Sequence, residues 1–290
     1  MNRGIILALS AYIFWGLHPI YWKQLQHVPS TEIVSHRIVW SFIFFVVIIS
    51  FHKGWKELFS KIKGSHQRWI LFVPAFLIGS NWAVYIWAVN AGYIIETSLG
   101  YFISPLITVF LGVIFCHEHL RKFQWIAVFM AGLGVLIMSI IYGQFPWISI
   151  YLASTWGAYG LLRKKSPLSS VEGLTLETSM LAVIGLIYLC ILRSKGVDSF
   201  LMDLPTSLLL MGTGIISGLP LLVFIVGARL INLSLIGILQ YVYPTLIFLT
   251  GVFIYNEPLT QSKLMGFIFI WIALILYTVE GALSSQKQNI

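Results

Sequence analysis

Ten apolar runs divide this chain, near residues 4–23, 32–51, 70–90, 96–115, 124–142, 146–163, 173–192, 206–227, 234–255 and 264–283. Each approaches the about 20 residues that a helix needs to cross the hydrocarbon core of a bilayer. The runs are continuous and do not alternate, which favours helices over a membrane barrel. Only 10% of the 290 residues are charged and 58% are hydrophobic, where a soluble domain carries about 25% charged residues. The surface of such a chain has to meet lipid. The expected fold is an all-α polytopic membrane protein with ten transmembrane helices. The first run continues through Trp15 and Trp22 without a small-residue cleavage site, so it reads as an uncleaved span and not as a signal peptide.

The net charge of +8 does not describe a nucleic-acid-binding face, because the basic residues are scattered through short loops. They set topology instead. With the N-terminus inside, thirteen of the eighteen Lys and Arg residues fall in inside segments, and both termini are cytoplasmic. The outside segments hold Lys23, Arg37, Arg193, Lys195 and Lys263. In segment 52–68, Trp55, Leu58, Phe59 and Ile62 share a helical face with lysines elsewhere. The segment is either an amphipathic helix flat on the cytoplasmic leaflet or a plain charged loop. Cys116 and Cys190 show neither a disulfide framework nor metal-ligand spacing.

One pattern occurs twice. Pro105, Gly112, Val113, Glu118 and Leu120 match Pro244, Gly251, Val252, Glu257 and Leu259 at a constant offset of 139, and Trp15-Gly16 matches Trp156-Gly157 at 141. The chain therefore reads as two five-span halves, residues 1–142 and 143–290. Because five is odd, the second half must enter the membrane inverted relative to the first. Secondary transporters use such inverted repeats, with the site near the midplane between the halves. Pro105 and Pro244 each remove a backbone donor and bend their helices, Gly112 and Gly251 permit close helix contact, and Glu118 and Glu257 fix helix-end loops through hydrogen bonds.

Stripes at helical spacing supply the candidate binding residues. The first span carries Trp15, His18 and Trp22 on one face, and the sixth carries Trp156, Tyr159 and Arg163 at the matching positions. The fourth span offers Tyr101, Ser104 and Thr108; the ninth answers with Gln240, Tyr243 and Ile247. Asn81, Trp82 and Tyr85 lie in the third span. Polar groups in hydrocarbon must be satisfied, so these side chains are expected to face protein or water. Together they describe an aromatic-walled cavity with a few hydrogen-bonding points, suited to a small amphipathic or aromatic molecule. The bland alternative is ordinary packing and interfacial belting.

Charges inside spans are costly, roughly 2.5–3.5 kcal/mol for Asp, Lys or Arg at a helix centre on insertion scales. Arg37 lies inside the second span and reads as an outer-face gate or anion contact, or alternatively as a snorkelling side chain. Glu177 is an acid inside the apolar seventh span. It is either a proton-coupling or gating carboxylate or a partner for a neighbouring helix. Arg37 and Glu177 enter from opposite faces and are not expected to pair.

The two P-x6-G-x5-E-x-L stretches, together with LALSAYIFWGLHPIYWK, VPSTEIVSHRIVWS, NWAVYIWAVN, ETSLGYFISPL and QWIAVFMAGLGVLI, resemble the RarD family, chloramphenicol-resistance-type permeases in the EamA branch of the drug/metabolite transporter superfamily. The likeness covers nearly the whole chain. It implies a ten-helix bundle in the bacterial inner membrane, with spans five and ten peripheral, a central cavity and no catalytic residues. The leading expectation is a secondary transporter of a small organic solute, possible coupling to protons included. No G-x-x-x-x-G-K-[ST] and no soluble domain point to an ATP engine. A flippase for a lipid-linked molecule shares the fold logic. An intramembrane enzyme would need paired acids or an H-E-x-x-H motif, and neither is present. His117-Glu118-His119 is not a helical metal motif, because alternate residues point apart. No cofactor or metal is expected.

Overall fold

The computed structural model describes residues 3–64, 69–255 and 261–287, and the regular elements among them are helical. The first apolar run forms α1 (Arg3–Gly16), α2 (His18–Trp22) and a 3-10 turn at Lys23–Leu25. There follow α3 (Ser30–Phe51), α4 (Trp55–Gly64), α5 (Trp69–Asn90), α6 (Ile94–Phe115) and α7 (Lys122–Tyr142). The second part of the chain forms α8 (Trp147–Lys165), α9 (Ser170–Ser194), α10 (Leu204–Ala228), α11 (Leu233–Gln240), α12 (Val242–Phe253) and α13 (Gln261–Lys287).

Seven helical stretches among the described residues are long and apolar enough to span a membrane: Arg3–Leu25, Ser30–Phe51, Glu96–Phe115, Lys122–Ile141, Ser170–Ser194, Leu204–Ala228 and Leu233–Phe253. Phe72–Ala88 and Gly266–Tyr277 are shorter apolar stretches. α8 ends in Arg163, Lys164 and Lys165, which lowers its hydropathy. The protein is thus a multi-pass helical membrane protein. Large apolar side chains such as Phe51, Phe76, Phe129 and Ile184 are exposed on its outer faces, as a lipid-facing surface requires.

Local chemistry sets several helix ends. Ser169 and Glu172 form a capping box on α9: the Ser169 Oγ accepts from the Glu172 N–H at 3.3 Å, and the Glu172 carboxylate accepts from the Ser169 N–H at 2.7 Å. Asp203 caps α10 by accepting from the Thr206 N–H at 2.7 Å. These bonds to Thr206 hold the exposed Asp203 carboxyl below the usual carboxylate range. Gly143, at φ 75°, ends α7 in the left-handed conformation.

Segment 52–68 contains a helix, α4, where the sequence left helix or loop open; residues 65–68, Arg68 included, lie outside the described residues. Its apolar face packs partly on protein, with Leu58 against Ile49 and Leu168 and flanked by Trp55 and Ile62. Lys61 pairs with Glu172 at 2.8 Å. Phe59 stays exposed.

Packing is organised in pairs. α3 lies against α9 and α10, α1 against α10 and α12, α5 against α8 and α9, and α6 against α8 and α11. The main core gathers Ala8, Ala11 and Tyr12 of α1, Phe45 of α3, Ile78 of α5, Tyr159 of α8, Phe224 and Ile225 of α10 and Ile236 of α11. α7 and α13 pack on each other in a second core with Phe102 and Val109 of α6. The α6–α11 crossing is close enough to need glycine: a Cβ on Gly237 would stand 2.6 Å from the Pro105 carbonyl oxygen.

Contacts between connections define two ends of the bundle. At the far end His27 bonds to Thr206 at 3.0 Å, Glu32 accepts from the Ser199 N–H at 2.6 Å, and the Ile148 N–H donates to Glu96 at 3.0 Å. At the N-terminal end Glu118 accepts from the N–H groups of Leu233 at 2.6 Å and Ser234 at 2.8 Å, and from the Ser234 hydroxyl at 2.5 Å. Glu118 thereby occupies the positive end of the α11 dipole. Its sequence counterpart Glu257, and Leu259, lie outside the described residues.

Candidate functional site

A cavity of about 510 Å³ lies between the helices, biased toward the far end. The first run contributes Trp15, His18 and Trp22, α3 contributes Arg37, and α5 contributes Asn81, Trp82 and Tyr85. From α6 come Tyr101 and Ser104, from α8 Trp156, and from the α11–α12 junction Gln240 and Tyr243. Twelve of the fourteen candidate binding residues expected from the sequence, from stripes and from charges within spans, therefore line one cavity. Ser217 and Leu221 of α10 also line it. No stripe announced them, because α10 has no matching aromatic face.

Four prolines explain why the polar atoms collect at this level. Pro19, Pro105, Pro220 and Pro244 lack an N–H, so the carbonyls of Trp15, Tyr101, Ile216 and Gln240 lose their helical donors. Trp15, Tyr101 and Gln240 line the cavity, and Ile216 adjoins the lining residue Ser217. The Ile216 carbonyl finds a replacement donor in the His18 Nε2, 3.1 Å away. Pro105 sits within a continuous α6, whereas Pro244 follows a break at Tyr241 between α11 and α12.

Several wall residues are fixed by their neighbours. The Asn81 amide donates to the Leu152 carbonyl and the Thr155 hydroxyl, both at 2.8 Å. The Gln240 amide donates to the Ser104 hydroxyl at 2.9 Å, while its buried Oε1 has no partner. The Tyr101 and Tyr243 rings meet edge to face at 5.0 Å, and Tyr85 lies 6.2 Å from Tyr101. Trp15 and Trp156 meet edge to face at 5.5 Å, each also 5.5 Å from the Phe224 ring. They form an aromatic floor. Arg37 stands over two indoles, its guanidinium carbon 4.8 Å from the Trp82 ring centre and 5.5 Å from that of Trp22. Its Nε is buried without a hydrogen bond.

Tyr159 and Glu177 are placed elsewhere, and the expectation that they belong to the wall is corrected. Both are buried, at 0% and 2% exposure. The Tyr159 hydroxyl donates to Glu177 Oε2 at 3.0 Å, and Arg163 Nε lies 3.4 Å from Glu177 Oε1. Arg163, counted with the loop charges from sequence, is only 1% exposed. Its Nη2 donates to the Ser169 and Ser170 carbonyls, each at 3.3 Å. A Cβ on Gly173 would strike this guanidinium. Glu177 is therefore not a lone acid. Its partner was hidden because Arg163 sits in a basic RKK run that reads as a loop signal. Trp156 and Tyr159 rings lie 5.8 Å apart, so the pair sits just beneath the cavity floor.

Further polar contacts tie the N-terminal end together below this pair. Lys165 donates to the Phe115 carbonyl at 2.8 Å. Lys164 donates to the carbonyls of Ala228 and Ile231, and Arg229 to those of Leu168 and Ser166. Burial, aided by neighbouring Arg163, holds the Arg229 guanidinium below the usual arginine range. Among the described residues there is no group of three side chains able to hold a metal ion. His117, within the connection from α6 to α7, has φ 52° and lies outside any helix.

Comparison with known proteins agrees with this architecture. A model of the EamA-like transporter family matches residues 2–140 and again 146–279. The chain is 42% identical over 281 residues to an uncharacterized transporter of Vibrio cholerae, covering 97% of this chain and 93% of that one. It is 43% identical to the uncharacterized transporter YojE of Bacillus subtilis (96% and 94% covered) and 39% identical to the protein RarD of Escherichia coli (99% and 98% covered). A solved crystal structure superposes with a TM-score of 0.70 at 16% identity, covering 95% of this chain and 96% of that one, a likeness of fold alone. With both parts matched by the family model and near-full-length relatives at these identities, the chain belongs to the EamA-like transporter family, as a RarD-type membrane transporter.

Proposed function

We propose that this transporter moves a small organic solute across the bacterial inner membrane by alternating access between two inverted five-helix halves, residues 1–142 and 143–290. The single observation that carries the reading is the cavity: aromatic, with polar groups among its lining, and lined by residues from both the earlier and the later part of the chain. Its volume of about 510 Å³ suits one drug-sized molecule better than a lipid-linked one.

Reciprocal contacts support the two-fold relation. Tyr101 and Ser104 correspond to Gln240 and Tyr243 at the offset of 139. Ser104 bonds to Gln240 while Tyr101 packs on Tyr243, which is the crossed pairing that a two-fold axis generates. Phe102 and Tyr241 also correspond, and the Tyr241 hydroxyl donates to the Phe102 carbonyl at 3.3 Å. Trp15 meets its own counterpart, Trp156. The helix pairs follow the same rule: α1 with α10 mirrors α8 with α5, and α3 with α10 mirrors α9 with α5.

With both termini cytoplasmic, the cavity faces outward and the N-terminal end is the closed cytoplasmic side. The Arg163–Glu177–Tyr159 cluster and the contacts of Glu118, Lys164, Lys165 and Arg229 then act as the inner latch. Proton coupling, if present, acts on Glu177 through its pair with Arg163 and not through contact with the solute. The test is purified protein in liposomes, screened for solute uptake and counterflow with and without a pH gradient. Saturable flux that Trp156→Ala abolishes is the expected result. Flux that ignores both Trp156→Ala and Arg37→Gln, or a solute panel that never exchanges, would remove the cavity from the mechanism.

A further inference from the structure

Arg37 is the one formally charged side chain among the residues of the cavity wall, which contains no Asp or Glu. No carboxylate of the described residues lies within ion-pairing distance of it. The pairs found there are His36–Glu32, Lys61 with Glu57 and Glu172, Arg121–Glu280, Arg163–Glu177, Lys164–Glu118 and Arg193–Asp198. The contrast with Arg163 is informative. That arginine is fully buried and has a carboxylate at 3.4 Å and two carbonyls at 3.3 Å, whereas Arg37 is half-buried at the cavity wall.

A half-buried cation without a counter-charge is partly desolvated and uncompensated. Two indole faces compensate Arg37 in part. None of its N–H donors has a hydrogen-bond acceptor among the described residues, and Nε is buried. Donors of this geometry match the paired oxygens of a carboxylate, sulfonate or phosphate. Around them stand the phenols of Tyr85, Tyr101 and Tyr243, the electrostatic neighbours of Arg37. The unpartnered Ser217 hydroxyl, also on the wall, adds a donor. The apolar remainder of the wall is supplied by Trp15, Trp22, Trp82 and Trp156.

From this we infer that the cavity selects organic anions: a planar or aromatic body among the indoles, with an oxyanion group on the edge of Arg37. The inference rests on the cavity being the transport site and names the charge class of its solute. The anion completes the ion pair that the protein withholds from Arg37, so neutral and cationic analogues of the same shape bind more weakly.

Calorimetric titration of the full-length protein in nanodiscs, against protein-free discs, tests this with three naphthalene probes: the 2-sulfonate, the neutral 2-sulfonamide and the 2-trimethylammonium. The sulfonate should bind at least about tenfold more tightly than either other probe, the factor that one charge-assisted hydrogen bond supplies. Arg37→Gln should erase that preference, lowering sulfonate affinity at least about tenfold more than sulfonamide affinity. Arg37→Lys, which keeps the charge and serves if the glutamine variant does not fold, should retain part of it. Equal binding of the three probes, an equal loss of all three in Arg37→Gln, or no measurable sulfonate binding overturns the inference. The cavity reading fails separately, and in a different way: sulfonate binding then survives both Trp15→Ala and Trp156→Ala unchanged. If the sulfonamide binds, is lost in Trp156→Ala and equals the sulfonate, only the charge selectivity is wrong.

Discussion

Removing one partner of the Arg163–Glu177 pair strands a charge where water does not reach. Breaking a buried pair in this way costs about 3–5 kcal/mol, so Glu177→Gln and Arg163→Met should each lower the thermal midpoint of the detergent-solubilised protein markedly. The double variant Arg163→Met with Glu177→Leu should recover much of the loss, because it removes both charges together. If either single substitution leaves the midpoint unchanged, the pair is not the inner fastening it is taken to be. Tyr159→Phe is milder: it deletes one hydrogen bond to Glu177, worth about 1.5–3 kcal/mol when the acceptor is charged, and should shift the midpoint less. In sequence, Trp156, Tyr159 and Arg163 read as one stripe. Only the fold divides that stripe between a cavity wall and a buried ion pair.

Prolines at the cavity level free backbone carbonyls within the helices. Pro220 frees the Ile216 carbonyl, and His18 takes the vacancy. Pro220→Ala restores a competing N–H inside α10 and should loosen His18. The expected consequence is a loss of solute affinity of about threefold, in keeping with one ordinary hydrogen bond, with little change in thermal midpoint. An unchanged affinity would mean that His18 is held by packing alone. Gly237 tests the opposite property, close approach. Its Cβ would meet the Pro105 carbonyl and Val109, both rigid parts of α6, so Gly237→Leu should separate α11 from α6 and impair both folding yield and transport. Normal yield and normal flux from that variant would show that the crossing is looser than described. The prolines at 105 and 244 are visible in the sequence as a repeated motif. Pro19 and Pro220 are outside that motif, and their shared role depends on which helices face each other.

For the whole molecule the decisive question is whether the N-terminal end opens. Lys165 of α8 reaches the Phe115 carbonyl of α6, so this contact must break if the proposed halves rock apart there. In a background carrying Cys116→Ala and Cys190→Ala, a short bis-maleimide joining Phe115→Cys to Lys165→Cys should stop net flux in liposomes. Probe binding to the cavity should survive, and either single cysteine treated alone should transport normally. Undiminished flux through the cross-linked protein would exclude opening at that end.

The sequence by itself determined the solvent of this protein, the helical content and the aromatic stripes, because hydrophobic run length and helical spacing are local properties of a chain. It also carried the doubled motif from which two halves are read. It could not rank polar residues by depth. Arg37 and Arg163 each read as a basic residue on an apolar span, yet one lines a cavity without a carboxylate and the other is buried with one. That difference arises where α8 meets α9 and where α3 meets α5, and partners brought together from distant parts of the chain leave no mark on the local pattern of either segment.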